Sequence, residues 1–233
     1  MKAVILAGGL GTRMDTETKN KPKPMVKIGS KPILWHITKY YSYYDIKDFV
    51  ICGGYKIESI KKFFQTYEKD WDVTIVNTGT RTMTGGRLKK IKKYVENETF
   101  CLTYGDTLND VDVKKVIDFH IKTKKFATLT ACIPPEKYGI LKIRNTKVIK
   151  FEEKPKQEKW VNGGYFVLEP EIFDYIKNNL TSWEKEPLQK LVTDGQLNAF
   201  KHFGFYRPMD TIHEKKILEK LWNLNKAPWR KWK

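Results

Sequence analysis

The first half of the chain alternates short apolar runs with longer segments in which apolar residues recur at helical spacing. This alternation is typical of strand–helix–strand units on a parallel sheet. We therefore predict an α/β fold, in which helices flank a mostly parallel sheet. The predicted strands are Ala3–Ala7, Phe49–Cys52, Val73–Val76, Thr99–Tyr104 and Ala127–Ile133, and the predicted helices are Ile33–Tyr44, Ile57–Tyr67, Gly86–Val95 and Val113–Thr123.

The second half of the chain has shorter strand-like runs and fewer helical segments. This pattern predicts a small mixed α+β insertion, which we expect to close one side of a ligand crevice at the edge of the sheet. The predicted elements are strands Tyr138–Ile143 and Lys147–Phe151 around a turn at residues 144–146, strand Gly164–Leu168, helices Glu171–Asn178 and Lys185–Asp194, strand Asn198–Phe205 and helix Ile212–Leu224.

No internal repeat, low-complexity tract or long Pro/Ser linker interrupts the 233 residues. A chain of this length can bury a substantial core within one domain. We therefore predict a single domain over residues 1–233. Its parts are a core at residues 1–135, a second part at residues 136–211, and a C-terminal helix and tail at residues 212–233.

Composition narrows the class of protein. A hydrophobic content of 40% and an aromatic content of 13% argue against disorder. The three cysteines are odd in number and show no Cys-x-x-Cys spacing, so we expect buried, reduced thiols. No apolar run reaches transmembrane length, and charged residues follow Leu6 too soon for a signal peptide. We expect a cytoplasmic protein with no membrane partner.

The formal net charge of +17 raises the affinity for any polyanion. The lysines are spread along helix-like stretches, which is typical of solvated helix faces. We therefore expect no nucleic-acid partner, although part of the excess charge favours anionic substrates. A basic nucleic-acid-binding module is the alternative, and its candidate segment is Trp222–Lys233.

The predicted first strand runs into a loop of three glycines and an arginine, Leu6–Arg13. Because glycine has no Cβ, the loop amides can approach phosphoryl oxygens closely, and Arg13 adds a charged, forked donor. An ordinary tight turn is the alternative. A P-loop would need a lysine after Gly11, and a dinucleotide fingerprint would need glycine or alanine where Met14 stands. The loop predicts triphosphate binding, and neither a P-loop ATPase nor a nicotinamide enzyme.

Two further segments bring charge to the predicted crevice. Asp106 follows a predicted strand and a glycine, at the end of the sheet where ligands bind. Such an aspartate either projects into the crevice or caps the next helix, and we predict that Asp110 and Asp112 are the caps. Lys23 lies between two prolines that hold its backbone extended, so its ammonium can point into the crevice.

The order of these motifs resembles that of the sugar-nucleotide pyrophosphorylases, the nucleotidyltransferases that join a nucleoside triphosphate to a sugar 1-phosphate. The resemblance spans essentially the whole chain and is strongest to the glucose-1-phosphate cytidylyltransferases within that family. It implies a Rossmann-like fold of the nucleotide-diphospho-sugar transferase type. The motifs that carry it are Leu6–Arg13, Lys21–Met25, Thr84–Lys89, Tyr104–Asp106, Phe151–Lys156, Asn162–Gly164, Trp183–Pro187, Pro208–Thr211 and Lys226–Trp229.

The resemblance implies transfer of CMP from CTP to a phosphorylated acceptor, release of pyrophosphate, and Mg²⁺ as cofactor. It implies that Asp106 and Asp210 hold the metal, and that Arg13, Lys23 and Asp106 are catalytic, with Lys23 on phosphate at the reacting centre. A phosphate monoester is mostly dianionic near neutral pH, so no general base is needed. The histidines are therefore expected to be structural; they are His36, His120, His202 and His213.

The resemblance also implies one surface that binds the nucleotide and another that binds the acceptor. We also expect a homo-oligomer. The segment from Thr78 to Arg87 would recognise the base. The implied nucleotide-binding residues are Leu6, Ala7, Gly8, Gly9, Gly11, Thr12, Arg13, Lys23, Thr84, Gly85, Arg87, Gly105 and Asp106. The implied acceptor-binding residues, all in part 136–211, are Tyr138, Gly139, Glu153, Lys154, Asn162 and Gly163, with Lys154 on the phosphate and Glu153 and Asn162 on hydroxyl groups.

Two departures from the cytidylyltransferase pattern leave the acceptor open. The chain passes almost directly from Phe64 to Asp72, where the cytidylyltransferases have a longer segment, and Gln157–Trp160 differs beside the acceptor pocket. The acceptor is a sugar 1-phosphate similar to glucose 1-phosphate, another sugar phosphate, or a phosphorylated amino acid or amino alcohol. A non-catalytic, nucleotide-binding regulatory subunit is an alternative of another class. It predicts a lost metal carboxylate or lysine, and neither is lost here.

Overall fold

The computed structural model describes residues 1–67, 70–135, 139–153 and 159–232, without the side chains of Arg13 and Asp15. Short 3₁₀ helices cover Thr12–Met14, Lys23–Met25 and Pro170–Tyr175. The strands are β1 (Ala3–Leu6), β2 (Lys27–Ile28), β3 (Lys31–Pro32), β4 (Asp48–Gly53), β5 (Asp72–Asn77), β6 (Phe100–Tyr104), β7 (Thr107–Asn109), β8 (Ala127–Cys132), β9 (Ile140–Arg144), β10 (Lys147–Glu152), β11 (Val161–Leu168), β12 (Leu197–His202) and β13 (Tyr206–Pro208). The α-helices are α1 (Asp15–Thr18), α2 (Ile33–Tyr43), α3 (Ile57–Gln65), α4 (Thr84–Val95), α5 (Val113–Thr123), α6 (Glu186–Thr193) and α7 (Ile212–Asn223).

In the described part of the chain, seven strands form one sheet in the order β12-β8-β11-β6-β1-β4-β5. Neighbouring strands pair in parallel except at β11, which is antiparallel to both β8 and β6. The predicted α/β fold with a mostly parallel sheet is confirmed. Separate two-stranded pairs join β9 to β10, β7 to β13 and β2 to β3.

Alternate residues of the central strand β1 face two separate apolar cores. Ala3 and Ile5 pack with α2, α5 and α7 on one face of the sheet, whereas Val4 and Leu6 pack with α4 and α6 on the other. Successive side chains of a strand point to opposite faces, so a strand that is apolar throughout needs helices on both sides. The sheet is therefore the middle layer of three.

The parallel strands place their carboxyl ends at one edge of the sheet. Leu6, the last residue of β1, lies in register with Cys52 of β4 and Tyr104 of β6. The glycine loop after β1 and the Gly105-Asp106 segment after β6 therefore leave the sheet side by side. This edge is where parallel sheets bind their ligands.

The prediction of a helix over Glu171–Asn178 is wrong. The chain forms a 3₁₀ helix at Pro170–Tyr175, and residues 176 and 177 follow without helical structure. The Asn178 side-chain oxygen accepts a hydrogen bond from the Leu180 amide at 2.9 Å, and the Asn178 amide donates to the Thr181 hydroxyl at 3.1 Å. Such local side-chain bonds compete with the helical backbone ladder, so the helix ends early.

The strand predicted over Asn198–Phe205 ends at His202, where the chain turns towards β13. Asp110 holds this turn, because its Oδ1 accepts from the Phe205 amide at 2.7 Å and lies 2.9 Å from His202 Nε2. The prediction that Asp110 caps α5 is therefore wrong. Asp112 does cap α5, since its Oδ1 accepts a first-turn backbone amide at 3.1 Å.

The cysteines Cys52, Cys101 and Cys132 are free and buried, as predicted. Burial raises the pKa of the Cys52 and Cys101 thiols to about 12, so neither is a nucleophile near neutral pH. Among the helices of the described residues, none is both long enough and apolar enough to cross a membrane.

His36 lies in the core as a neutral ring with a defined tautomer. Its Nε2 lies 3.0 Å from the Ile28 carbonyl oxygen, and its Nδ1 lies 3.3 Å from the indole nitrogen of Trp229. Since the indole N–H can only donate, Nδ1 accepts and the single ring proton is on Nε2. A second proton, on Nδ1, would point at the indole N–H of Trp229 and remove this hydrogen bond. Burial lowers the pKa of His36 to about 4.

We expect the free energy of unfolding to fall as the pH is lowered from 6.5 to 4. Above pH 6.5 both states leave His36 neutral, whereas between the two pKa values only the unfolded chain binds the proton. The difference in pKa corresponds to ~3 kcal/mol. Urea unfolding at pH 7 and pH 4.5 measures the loss, and NMR titration measures the His36 pKa directly. His36→Gln should lose this part of the pH dependence, and the exposed His213→Gln should keep it. A ring titrating near pH 6.5 would contradict the prediction.

Candidate active site

A cleft of about 810 Å³ opens at the carboxyl ends of the parallel strands. It brings together residues that the sequence places far apart, and Asn162 is the one predicted acceptor residue among the described residues that lines it. Predicted nucleotide or metal residues in its lining are Leu6, Ala7, Gly8, Gly9, Gly11, Thr12, Lys23, Thr84, Arg87, Gly105, Asp106 and Asp210. Arg13 has its backbone in the adjoining 3₁₀ helix, and its side chain lies outside the described part.

The loop after β1 presents backbone amides to the cleft. The Ala7 amide still bonds β4, donating to the Cys52 carbonyl at 3.0 Å. Beyond it, the amides of Gly8, Gly9 and Gly11 donate to no acceptor within the described residues. Gly11 has a φ of +69°, a conformation that favours glycine. Clustered amides of this kind form an anion-binding concavity.

Gly8 has no side chain because the Arg87 guanidinium occupies that space. A Cβ at Gly8 would lie 1.9 Å from Arg87 Nη1. Arg87 Nη2 instead donates to the Gly8 carbonyl at 2.8 Å, and Nη1 donates to the Gly79 carbonyl at 2.7 Å and the Thr78 hydroxyl at 2.6 Å. A longer contact of 3.3 Å reaches the Gly53 carbonyl. Arg87 therefore joins the end of β4 to the loops that follow β1 and β5.

The Arg87 side chain is 4% exposed, and it has no ion pair with a carboxylate of the described residues. Burial lowers its pKa, but a guanidinium remains protonated in proteins. Its charge is balanced by carbonyl dipoles at the strand ends. Arg87 thus lies at the floor of the cleft, where it holds the glycine loop and residues 78–79.

Lys23 lies between Asp106 and Asp210, the two carboxylates predicted to hold the metal. Its Nζ is 2.6 Å from Asp106 Oδ2 and 2.7 Å from Asp210 Oδ1. The first carboxylate follows β6, where the Gly105 amide donates to the Leu6 carbonyl at 2.9 Å. The second follows β13, whose pairing with β7 is continued by a 2.8 Å bond from the Met209 amide to the Asp106 carbonyl. This small sheet brings two distant aspartates to one point.

Burial and the two carboxylates have opposite effects on the pKa of the Lys23 ammonium. Burial lowers its pKa, but the charges and hydrogen bonds of Asp106 and Asp210 outweigh burial, so the pKa lies above its ordinary value. The lysine stays charged throughout the physiological range. Each carboxylate remains about a quarter exposed, at 28% and 27%, so both face the cleft.

Residues 2–206 match the family model described as nucleotidyl transferase. The chain belongs to the nucleotidyltransferase family. It is 51% identical, in an alignment of length 256 that covers 100% of both proteins, to the glucose-1-phosphate cytidylyltransferase of Salmonella typhimurium. It is 39% identical, in an alignment of length 254 that again covers 100% of both, to the probable glucose-1-phosphate cytidylyltransferase of Bacillus subtilis (strain 168).

Comparison with solved structures supports the same family. The crystal structure of HddC from Yersinia pseudotuberculosis superposes with a TM-score of 0.77 and is 26% identical, covering 95% of this nucleotidyltransferase and 99% of that chain. The Salmonella alignment is longer than the 233 residues of the chain, so that relative contains residues without a counterpart here.

Enzymes of the nucleotidyltransferase family generally use a divalent metal. The donor set of this nucleotidyltransferase fits such an ion, because oxygens of Asp106 and Asp210 already converge on one cation, the ammonium of Lys23. The described residues contain no group of three or more potential metal ligands. Two carboxylates, completed by water and substrate phosphates, match the way that Mg²⁺ is commonly bound.

On the acceptor side, the structure separates the predicted residues. Asn162 lines the cleft, whereas Gly163 packs against β8, where a Cβ would lie 2.4 Å from Cys132 Sγ. Gly139 and Glu153 lie together beside the β9–β10 hairpin, where a Cβ on Gly139 would lie 2.9 Å from Glu153 Oε2. Tyr138 and Lys154, the remaining predicted acceptor residues, lie outside the described residues.

Gly85, predicted to bind nucleotide, is not among the described residues that line the cleft, and it packs the start of α4 against the segment 179–183. A Cβ there would lie 2.8 Å from the Thr181 carbonyl oxygen. No role is predicted from the sequence for Glu184, although it belongs to the Trp183–Pro187 motif of the family. In the structure Glu184 lines the cleft and accepts hydrogen bonds from Tyr104 Oη at 2.8 Å and Thr84 Oγ1 at 2.6 Å.

Proposed function

We propose that this nucleotidyltransferase transfers CMP from CTP to a sugar 1-phosphate of the glucose 1-phosphate type, giving a CDP-sugar and pyrophosphate, with Mg²⁺ as the divalent ion. One observation carries the proposal: the glycine-loop amides, Lys23 and the Asp106–Asp210 pair meet in a single cleft. The relatives named glucose-1-phosphate cytidylyltransferase match this chain over its whole length, which supports cytidine and a sugar 1-phosphate as the substrate classes.

The reaction is an in-line attack of an acceptor phosphate oxygen on the α-phosphorus of CTP. The new bond joins that oxygen to the α-phosphorus, the α–β phosphoanhydride bond breaks, and pyrophosphate leaves with its electron pair. The acceptor phosphate is already mostly dianionic near neutral pH, so no base has to remove a proton. The main requirement is to align two anions and screen their repulsion.

Residues of the cleft meet this requirement with fixed positive charge and dipoles. The amides of the glycine loop bind phosphoryl oxygens, and Lys23 supplies an ammonium beside the aspartates. A Mg²⁺ ion held by Asp106 and Asp210 neutralises phosphate charge when bound. Buried Arg87 adds positive potential from below while it keeps the loops in register.

Recognition of the base is assigned to the turn before α4. Residues 80–84 line the cleft, and the Gly79 carbonyl is held by Arg87. A rigid turn can present backbone donors and acceptors to the amino group and ring acceptors of cytosine. The corresponding edge of uracil has an oxygen in place of that amino group, so an acceptor placed for cytosine is left unpaired by UTP.

We expect CTP to be used with a kcat/KM at least about tenfold above that for UTP, GTP or dTTP. Pyrophosphate release measures this, with Mg²⁺ and glucose 1-phosphate present. The same assay run with CTP and other sugar phosphates, phosphoserine or phosphocholine identifies the acceptor class. Equal rates with CTP and UTP would contradict the base assignment, and absence of turnover with every acceptor would favour a non-catalytic subunit.

A further inference from the structure

The Glu184 carboxylate is an anion in a cleft proposed to take two anionic substrates. It forms no ion pair with a cation in the described part of the chain. Its hydrogen bonds come from hydroxyl groups: Tyr104 Oη to Oε1 at 2.8 Å, and Thr84 Oγ1 and Ser182 Oγ to Oε2 at 2.6 and 2.7 Å. A negative charge at this position opposes phosphate binding. The carboxylate therefore acts through the hydroxyl groups that donate to it.

The two ends of this network are supported unequally. At the α4 end, the Trp183 amide donates to the Thr84 hydroxyl at 2.9 Å, the Met83 amide donates to the Asn179 carbonyl at 2.9 Å, and a Gly86–Thr181 bond of 3.2 Å adds a third link. Removing the Glu184 carboxylate leaves these bonds in place. The start of α4 should therefore keep its position, and so should residues 80–84, which are proposed to recognise the base.

At the other end, the Tyr104 hydroxyl has two partners among the described residues. It donates to Glu184 and accepts from Asn162 Nδ2 at 3.2 Å. Asn162 Oδ1 accepts from the Gly164 amide at 2.9 Å, so the Asn162 amide group has one orientation. Because the Tyr104 O–H donates to Glu184, the phenolic oxygen is left to accept from Asn162. The second N–H of Asn162 Nδ2 remains for a ligand in the cleft.

We propose that Glu184 is a positioning residue for the acceptor, which acts through the Tyr104 hydroxyl on the side chain of Asn162. The inference rests on the proposed function, since it takes Asn162 to face the sugar phosphate. Tyr104 also packs closely on Gly164, where a Cβ would lie 2.7 Å from the ring. The ring is thus held by packing, and the carboxylate sets the direction of the hydrogen bonds.

The test compares Glu184→Ala, Tyr104→Phe and the double variant, using the acceptor that the wild-type enzyme turns over fastest with CTP. Glu184→Ala should raise the acceptor KM about tenfold and leave the CTP KM within about twofold. The acceptor KM of Glu184→Gln should lie between those of Glu184→Ala and the wild type. The Gln amide has one accepting oxygen, so it can accept either from Tyr104 or from Thr84, but not from both as the carboxylate does. In the Tyr104→Phe background, Glu184→Ala should have no further effect on the acceptor KM, since both act through the same hydroxyl.

Glu186→Ala is the matched control. Glu186 is exposed, pairs with Lys177 and does not line the cleft. The KM values of Glu186→Ala for CTP and for the acceptor should therefore equal those of the wild type. An unchanged acceptor KM in Glu184→Ala, or a rise in the CTP KM with a lower melting temperature, would overturn the positioning role alone. Wild-type inactivity with CTP and every acceptor would overturn the proposed function, and this inference with it.

Discussion

Asp106→Asn is expected to lower kcat by about a thousandfold or more while the fold stays intact. The carboxylate and its partner Asp210 converge on one cation, and the neutral amide of Asn removes half of that negative charge. Asn has nearly the same shape, and it can still accept a hydrogen bond from Lys23. The side chain is partly exposed, so the packing of β6 and β7 should not change. Asp210→Asn should give a loss of similar size.

Pyrophosphate release at saturating CTP, acceptor and Mg²⁺ measures the loss, and circular dichroism with thermal unfolding reports on the fold. Asp118→Asn is the control, because Asp118 is an exposed residue of α5 away from the cleft. Calorimetric titration of Mg²⁺ into the protein gives a second readout, in which both cleft variants should bind the metal more weakly. If Asp106→Asn turned over at the wild-type rate, the proposal that Asp106 binds the metal would be contradicted.

Arg87→Met is expected to lower the free energy of unfolding by about 3 kcal/mol and to raise the CTP KM about tenfold. The substitution keeps a long apolar side chain but removes the donors to the carbonyls of Gly8 and Gly79 and to the Thr78 hydroxyl. Buried acceptors without partners are costly, and the loops after β1 and β5 lose their common anchor. Arg87→Lys keeps the charge but lacks the fork that joins both loops, so it should be intermediate.

Urea unfolding measures the stability term, and steady-state kinetics measures the KM. Lys93→Met is the matched control, since it removes an exposed positive charge from the same helix, α4. Its stability and CTP KM should match those of the wild type. If Arg87→Met instead kept full stability and weakened CTP alone, Arg87 would be a direct ligand of the nucleotide and not the support beneath it.

Much of the fold was accessible from local pattern. The runs in Ala3–Ala7 and Ala127–Ile133 are short, apolar and separated by amphipathic segments, and this leaves few arrangements other than a sheet covered on both faces. The position of the glycine loop followed for the same reason, because a strand end and the residues after it are adjacent in sequence. Lys23 was identified from its flanking prolines, which act on the backbone locally.

Local pattern failed where a distant partner or a side chain competed for the backbone. Asp110 has the sequence context of a helix cap, yet it bonds the Phe205 amide, almost a hundred residues away. Helical periodicity after Pro170 gave no sign that Asn178 would close a turn with its own side chain. At Gly8 the sequence predicts only that the backbone amide is open to a close approach, and it gives no sign that the Arg87 guanidinium fills the space of a Cβ.

Residue order was therefore sufficient for the class of fold, the glycine loop at the end of β1 and the candidate charges of Lys23 and Asp106, since each depends on neighbours along the chain. Tertiary structure alone showed how these groups are arranged. The β7–β13 pairing brings Asp210 to Asp106, Arg87 joins the end of β4 to the loops after β1 and β5, and Glu184 connects the start of α4 to Tyr104. The pairs Arg87 and Gly8, Glu184 and Tyr104, and Asp106 and Asp210 lie about 80 to more than 100 positions apart in the sequence. No local periodicity records which distant side chain completes a hydrogen bond.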